Sequence, residues 1–457
     1  MAAMGSFKAA HLTVIKRYEF SEPVFQPEKL ASSMLSRLPF GPWESYTFLG
    51  DAKRLKALID HMRTVPIKGI GNIKPIRNPY VSQEFFWVPF KPRELAFESG
   101  IRPDLPMYPF QVIPSEIQMT LNRGQLEDVL GFAVSNHKAF WEVRIYPPGV
   151  STVHLHLWIE AKEQSLDLNG LARLQSGLNS LSVTVVSERE RFSCNGVFKA
   201  FGFLVNRVAS CILSGGHKRR EFHGYYVVCN LQGGPVELPV YADVLAKLLA
   251  GRHGTPSDPY SSELEGKHKD DIIAVGRHAA IIYVDAGIWE KYGNRQRPGV
   301  LEGRRCFRHH FVSAIELAYV TEALISIYNS RFNDILREMK KIPLGMTWDS
   351  LIKKYTTWGV LDPCAYGTLQ YVILDVLARL RESRRDGFWA AVYGSVAHEL
   401  ELSNNLEELK TTTDEVYQAA VIHRSEYADR IAALVANIGT AVDKLIKFIK
   451  VAKPGLP

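Results

Sequence analysis

The sequence predicts an α+β fold, in which a mixed α/β N-terminal region with antiparallel hairpins is followed by an all-helical C-terminal region. Two observations favour this fold class. Before about residue 300, several segments alternate apolar and polar residues with the period of two that is typical of half-buried strands. From about Arg308 onward, the apolar residues recur with a period of 3.6, which is the period of an α-helix.

The clearest strand pair lies in residues 139–161. An alternation that begins at Trp141 ends at Pro147, the sequence Pro-Pro-Gly makes a turn, and the segment after the turn alternates again. Two alternating runs around a short turn predict a β-hairpin. Further strands are predicted at 12–20, 181–186 and 223–231, and a second hairpin is predicted at 271–284.

The terminal helix has the most regular pattern in the chain. From Tyr417 to Ile449, positions that are apolar except for Arg424 step by four and three residues in turn, which is the heptad seam of packed helices. Candidate N-caps precede it at Ser403, Asn404 and Asn405. We expect residues 405–450 to pack along helices of this chain or to mediate self-association. Other helices are predicted at about 27–38, 51–62, 166–178, 308–343 and 369–380.

The length of 457 residues exceeds the usual size of one hydrophobic core. Residues 66–114 hold nine of the 24 prolines, and five large aromatic residues lie close together within them, at Phe85, Phe86, Trp87, Phe90 and Phe97. This segment therefore predicts an ordered but irregular structure rather than long helices or central strands. Four parts are predicted: a strand–helix unit (1–65), the Pro/aromatic-rich irregular segment (66–115), an α/β domain with hairpins (116–300) and a helical domain (301–457).

Composition excludes several classes of protein. With 46% hydrophobic and 23% charged residues, the chain is far from the composition of disordered proteins. No run of about 20 apolar residues predicts a transmembrane helix, and charged residues interrupt the N-terminus where a signal peptide would be apolar. The five cysteines are odd in number, widely spaced and without a CxxC pair, which disfavours a disulfide framework. We therefore expect a soluble, cytoplasmic protein.

The net charge of +7 favours anionic partners such as a nucleotide or nucleic acid. One basic segment follows two adjacent glycines, whose backbone N–H groups can form an anion-binding concavity. It does not match the GxxxxGK[ST] pattern of a P-loop, and a glycine turn with a solvated basic flank is the alternative interpretation. The segment comprises Ser214, Gly215, Gly216, His217, Lys218, Arg219 and Arg220.

A second basic cluster lies in residues 290–310. Six positive charges there stand against Glu290 and Glu302, and Tyr292 and Phe307 lie between them, as in many phosphate-binding surfaces. A charged linker between domains is the alternative interpretation. The six cations are Lys291, Arg295, Arg297, Arg304, Arg305 and Arg308.

A metal site is the other candidate. His154 and His156 are two residues apart on a predicted strand, so both point to one face, and Glu160 continues that face. Two imidazoles and a carboxylate can hold zinc or another divalent ion, and His309 and His310 could add a ligand if the fold brings them near. The alternative is that these residues are the solvent-facing side of an amphipathic hairpin.

No nucleophile, kinase or metalloprotease motif names a reaction. The function ranked first from the sequence is a non-catalytic sensor or adaptor that binds an anionic ligand through the basic clusters and assembles through its C-terminal helices. The first alternative is a metal-dependent phosphoester hydrolase that uses His154 and His156. The second is a structural subunit of a larger complex.

Overall fold

The computed structural model of the protein describes fourteen stretches of the chain, and every structural statement below concerns these residues. They are 9–20, 65–67, 69–75, 110–146, 150–162, 168–212, 219–232, 248–249, 263–265, 272–283, 300–339, 388–422, 439–440 and 442–447, with residue 436 in addition.

A sheet of eleven strands forms the centre of the described structure. Its strands are β1 (Ala9–Phe20), β2 (Val65–Ile67), β3 (Gly71–Pro75), β4 (Phe110–Ile113), β6 (Val134–Tyr146), β7 (Val150–Ala161), β10 (Arg219–Glu221), β11 (Tyr226–Gln232), β12 (Glu263–Glu265), β13 (Ile272–Val275) and β14 (Ala279–Tyr283). Their order is β12-β13-β14-β11-β1-β7-β6-β4-β3-β2, and β10 pairs with the end of β1. All pairs are antiparallel except β11–β14, which is parallel.

A second, three-stranded sheet, six α-helices and a short 3₁₀ helix (Leu178–Ser180) are also described. The sheet has the order β5 (Gln118–Leu121), β8 (Ser182–Val186) and β9 (Arg191–Asn195). The helices are α1 (Arg123–Leu130), α2 (Leu168–Gly177), α3 (Val197–Ile212), α4 (Val300–Met339), α5 (Phe388–Glu399) and α6 (Leu402–Ile422). None of these helices is both long and apolar enough to cross a lipid bilayer. The fold is therefore of the predicted mixed α+β class, with helices in the C-terminal region.

One face of the central sheet is apolar. Because side chains alternate along a strand, the residues of β6 and β7 with odd numbers and most of those of β1 with even numbers share this face. The ring of Trp141 lies edge-on to Phe201 of α3, with 5.5 Å between centroids, and its indole N–H donates to the carbonyl of Met119 in β5, 3.1 Å away. This face forms the main core together with α2 and α3.

The opposite face of β1, β6 and β7 is polar, and α4 covers part of it. Helix α4 also packs against α5 and α6, so it is the element that joins the sheet to the C-terminal helices. Buried polar residues on this face include Thr13, Arg17, Glu142, Arg144 and His154. The alternative interpretation, that the polar side of the 139–161 hairpin faces solvent, is therefore wrong for Glu142, Arg144 and His154, which are buried.

Most strand predictions are confirmed. The strand at 12–20 is β1, the hairpin at 139–161 is β6–β7, and the hairpin at 271–284 is β13–β14. The predictions at 181–186 and 223–231 correspond to β8 and β11, and the helix at 166–178 corresponds to α2. The predicted helices at 27–38, 51–62 and 369–380 lie outside the described residues.

Three segments differ from the predictions. Both ends of the Pro/aromatic-rich segment form short strands, β2 to β4, at one side of the sheet, where Pro66 is tolerated because β2 is the last strand in the order. Helix α4 begins at Val300, earlier than the periodicity indicated. Helix α6 begins at Leu402, so the N-cap candidates lie inside it, and Glu401 before it has a positive φ of 53°.

Candidate metal centre

The strand pairing brings one glutamate and two histidines together on the polar face of the central sheet. His154 lies directly opposite Glu142 of β6, and His156 lies opposite Thr13 of β1. In the described part of the chain, Glu142, His154 and His156 are the group whose ligand atoms all lie within 4.8 Å of one another. The side chains of His154 and Glu142 are almost fully buried.

The atoms that converge are one oxygen and two ring nitrogens. Oε1 of Glu142 lies 3.2 Å from Nε2 of His156 and 3.6 Å from Nδ1 of His154. Four ligands at about 2.0–2.1 Å from a tetrahedral zinc ion lie about 3.3 Å from one another. These two separations are therefore close to those that a bound ion requires.

His154 is held by its other nitrogen. Nε2 lies 3.0 Å from Oε1 of Glu316 on α4, and the hydroxyl of Thr152 donates to the same oxygen at 2.6 Å. An ionised carboxylate only accepts, so the Nε2 position of His154 carries a proton that it donates to Glu316. Nδ1 is buried and has no hydrogen-bond partner among the described residues. This nitrogen lies 3.6 Å from Oε1 of Glu142.

His156 closes the cluster on its more open side. Nδ1 lies 3.2 Å from the hydroxyl of Thr13, and the ring stacks on His11 with 5.6 Å between centroids. Burial lowers the pKa of His156 despite the nearby carboxylate, so the ring favours its neutral form. Its side chain keeps 19% exposure, and the adjacent Phe140 is 43% exposed. Solvent therefore reaches the cluster along the His156 edge.

Arg144 is the positive charge of the cluster. Its Nε and Nη2 atoms donate to Oε1 of Glu142 at 2.8 and 2.6 Å, and Nη1 donates to Glu316. Burial opposes the ionisation of both carboxyl groups, but the charge of Arg144 together with the histidine contacts holds the pKa of each well below its usual range. Both glutamates are therefore carboxylates at neutral pH.

A second ionic contact, between Arg17 on β1 and Glu322 on α4, joins this helix to the same face of the sheet. The guanidinium of Arg17 on β1 donates to the carbonyl of Tyr319 at 2.7 Å and to the carboxylate of Glu322. Its Cζ atom lies 3.5 Å from the centroid of the Tyr319 ring and 5.3 Å from that of Phe222. Stacking on aromatic rings is a contact that suits a planar guanidinium.

The structure places only part of the predicted metal set together. His154 and His156 lie in the cluster, whereas the carboxylate of Glu160 accepts from the indole N–H of Trp158 at 2.8 Å. The carboxylate that joins the histidines is Glu142 instead. His309 and His310 lie on α4, and their side chains are outside the described residues.

The described residues do not test the predicted anion-binding site. Arg219 and Arg220 lie on β10, and Arg304, Arg305 and Arg308 lie on α4, but the side chains of these five are not among those described. The other predicted residues lie outside the described stretches: Ser214, Gly215, Gly216, His217, Lys218, Lys291, Arg295 and Arg297.

Sequence reasoning missed Glu142 and Glu316. A signal for Glu142 was present, because a hairpin with its turn at 147–149 places residue 142 directly opposite residue 154. No comparable signal existed for Glu316, which is 162 positions from His154.

The cluster has the chemistry of a metal centre. Two imidazoles and one carboxylate suit zinc and similar divalent transition metals, and the contacts of Nε2 of His154 and Nδ1 of His156 are those that orient metal-binding histidines. Comparisons with protein-family models, with curated proteins and with solved structures give no match to this chain. The function has to be inferred from the geometry of this site.

Proposed function

We propose that this protein binds one divalent transition-metal ion of the zinc class through Glu142, His154 and His156, and that the bound ion supports hydrolysis. The observation that carries the proposal is the buried Nδ1 atom of His154, which lacks a hydrogen-bond partner among the described residues and points at Glu142. A buried nitrogen that faces a carboxylate at 3.6 Å without a hydrogen bond between them is accounted for by a cation that both atoms contact. We take this cation to be a metal ion; a proton on Nδ1 is the alternative, and zinc titration separates the two.

His154 is already oriented for this role, whereas Nε2–H of His156 donates to Oε1 of Glu142 at 3.2 Å and would exchange this proton for the ion. In metal sites, the ring nitrogen that does not bind the ion donates to a carboxylate, a carbonyl or a water. Glu316 accepts from Nε2 of His154, and the Thr13 hydroxyl contacts Nδ1 of His156. The remaining nitrogens, Nδ1 of His154 and Nε2 of His156, are the two that face Glu142.

Arg144 opposes the binding of a second cation, because its guanidinium contacts the proposed ligand oxygen. Two features offset this repulsion. A carboxylate can accept several contacts at once, and ligating carboxylates are commonly hydrogen-bonded by a neighbouring group. Glu316 also contacts Arg144 and brings a second negative charge to the cluster.

Three protein ligands leave a fourth position of a tetrahedral ion open, as in catalytic rather than structural zinc sites. An ion in such a site lowers the pKa of water and polarises carbonyl or phosphoryl oxygens. The exposed edge of His156 and the exposed ring of Phe140 mark the side from which a substrate could approach. Metal-assisted hydrolysis is therefore the proposed reaction class. The sequence suggests a phosphate ester as its substrate.

Metal binding is tested by zinc titration of the full chain, followed by metal analysis after dialysis. We expect one ion per chain in the wild type and affinity at least about 100-fold weaker in His156→Gln, because one of three ligands is lost. His137→Gln is the matched control, since His137 lies on β6, the strand paired with that of His156, but outside the cluster. A wild-type chain that retains no zinc would show that the cluster is only a buried ion-pair network.

Hydrolysis is tested separately with the zinc-loaded protein. A phosphate monoester, a phosphate diester and a carboxylic ester, each with a nitrophenol leaving group, are the probes. We expect turnover of at least one ester that is lost in His156→Gln and kept in His137→Gln. Zinc binding without turnover of any probe would overturn the hydrolytic part of the proposal and leave a metal-binding protein.

A further inference from the structure

We infer that Glu316, which is not a ligand, is the positioning residue of the metal site, and that metal binding is thereby coupled to the docking of α4 on the sheet. This inference rests on the proposed metal site. It concerns the regulation of that site by the C-terminal helices.

His154 lies between Glu142, on the central sheet, and Glu316, on α4. One ring nitrogen, Nδ1, faces the proposed ligand oxygen of Glu142, and the other, Nε2, contacts Glu316 at 3.0 Å. The two nitrogens lie in one rigid ring. A shift of the Glu316 carboxylate therefore changes the orientation of the ring.

Glu316 is itself held by the sheet. Arg144 and the hydroxyl of Thr152 both contact its carboxylate, and the side chain is almost fully buried. When α4 is docked on the sheet, these contacts hold the Glu316 carboxylate within hydrogen-bonding distance of His154. If α4 moves away, the imidazole loses the acceptor that keeps its Nδ1 atom directed at Glu142 and the proposed metal position.

The coupling extends beyond α4 because this helix packs against α5 and α6. An event that displaces the C-terminal helices from the sheet would therefore weaken metal binding. Linkage is reciprocal, so a bound ion must strengthen the docking of α4 by the same factor. The metal site and the helical region form one switchable unit.

The matched pair of variants is Glu316→Gln and Glu322→Gln. Both glutamates lie on α4, and each carboxylate contacts an arginine of the sheet, Arg144 or Arg17. Only Glu316 contacts a proposed metal ligand. We expect zinc affinity, measured by competition with a chelator, to fall by about 10- to 100-fold in Glu316→Gln and to stay unchanged in Glu322→Gln.

Two further measurements separate positioning from a loss of folding. The absorption spectrum of the cobalt(II)-loaded protein should change in Glu316→Gln and not in Glu322→Gln, because it reports ligand geometry. Glu316→Asp keeps the negative charge that pairs with Arg144, so this variant is expected to fold. Its shorter side chain withdraws the carboxylate from His154, so its zinc affinity is expected to fall, as in Glu316→Gln. Circular dichroism confirms that each variant is folded.

Hydrogen exchange tests the reciprocal effect. Zinc should slow the exchange of α4 amides in the wild type, and this added protection should be smaller in Glu316→Gln. If the wild type binds zinc and folded Glu316→Asp binds it equally tightly, the coupling inference is wrong and the metal site stands. If the wild type binds no zinc, the proposed function itself fails.

Discussion

The Nε2–H group of His154 on β7 donates to the carboxylate of Glu316 on α4, 3.0 Å away and 162 positions further along the chain. This contact belongs to a buried polar network that also contains Glu142 and Arg144. Buried ion pairs are often no more stabilising than apolar residues of similar size. The proposed metal site would give this network a role besides stability.

Replacement of Arg144 by methionine tests the charge balance of the network. The variant leaves the carboxylates of Glu142 and Glu316 buried without their shared guanidinium. We expect the free energy of unfolding to fall by about 3–5 kcal/mol in urea denaturation at neutral pH. Because an added cation would replace the lost charge, zinc should raise the urea concentration at the unfolding midpoint of Arg144→Met more than that of the wild type.

Arg337→Met is the control for this experiment. Arg337 pairs with Asp334 on the same helix, and both side chains are largely exposed, so the loss of this pair should change stability little. Similar losses in Arg144→Met and Arg337→Met would contradict the importance of the buried network.

Trp141→Phe tests the junction between the two sheets. The indole N–H of Trp141 on β6 donates to the carbonyl of Met119 on β5, and the ring packs edge-on against Phe201. The variant leaves a buried acceptor unpaired and opens a cavity, so we expect a loss of about 2–3 kcal/mol in urea denaturation. Trp158→Phe should lose less, because the N–H of Trp158 donates to a partly exposed carboxylate. Equal losses would argue against a special role for the junction.

Tyr226→Phe tests how the β13–β14 hairpin is fastened to β11. The Tyr226 hydroxyl is buried and donates towards the carbonyls of Gly276 and Ala279, at 2.9 and 3.0 Å. Its removal should cost about 1–2 kcal/mol and speed amide exchange in residues 272–283. Tyr225→Phe is the neighbouring control, since the Tyr225 hydroxyl is only partly buried and water can replace its contact with Gln175. Unchanged exchange in Tyr226→Phe would contradict the prediction.

We expect the buried thiol of Cys229 to make the folded protein less stable at alkaline pH. Burial raises the pKa of its thiol from 9.0 to about 12, so the folded protein keeps the proton at pH values where the unfolded chain loses it. The contribution is complete below pH 9 and is lost as the pH rises towards 12, by up to about 1.4 kcal/mol for each pH unit. Urea denaturation at pH 7.0, 8.5 and 10 measures this slope.

Cys229→Val is the variant that isolates the thiol. It removes the titrating group and keeps an apolar side chain of similar size in the core. We expect its free energy of unfolding to fall less between pH 8.5 and pH 10 than that of the wild type. Parallel pH profiles would mean that the thiol does not contribute. Tyrosines such as Tyr226, whose pKa burial raises well above its usual value, affect both proteins equally.

The sequence by itself determined the strand pair that carries the three proposed ligands. Alternation around Trp141 and the Pro-Pro-Gly turn predicted the β6–β7 hairpin, and the side-chain period of two placed His154 and His156 on one face. The register that follows from the turn also places Glu142 opposite His154. These relationships are local, because neighbouring strands of a hairpin are aligned by the turn that joins them.

Only the tertiary structure decided what covers that face. The pattern of the hairpin is the same whether its polar side faces water or another element, so the sequence indicated solvent where the structure has α4. Glu316 and Glu322 meet His154 and Arg17 through the packing of a helix that begins well over 100 residues later. Such contacts depend on how whole elements dock, and no period or spacing along the chain records that arrangement.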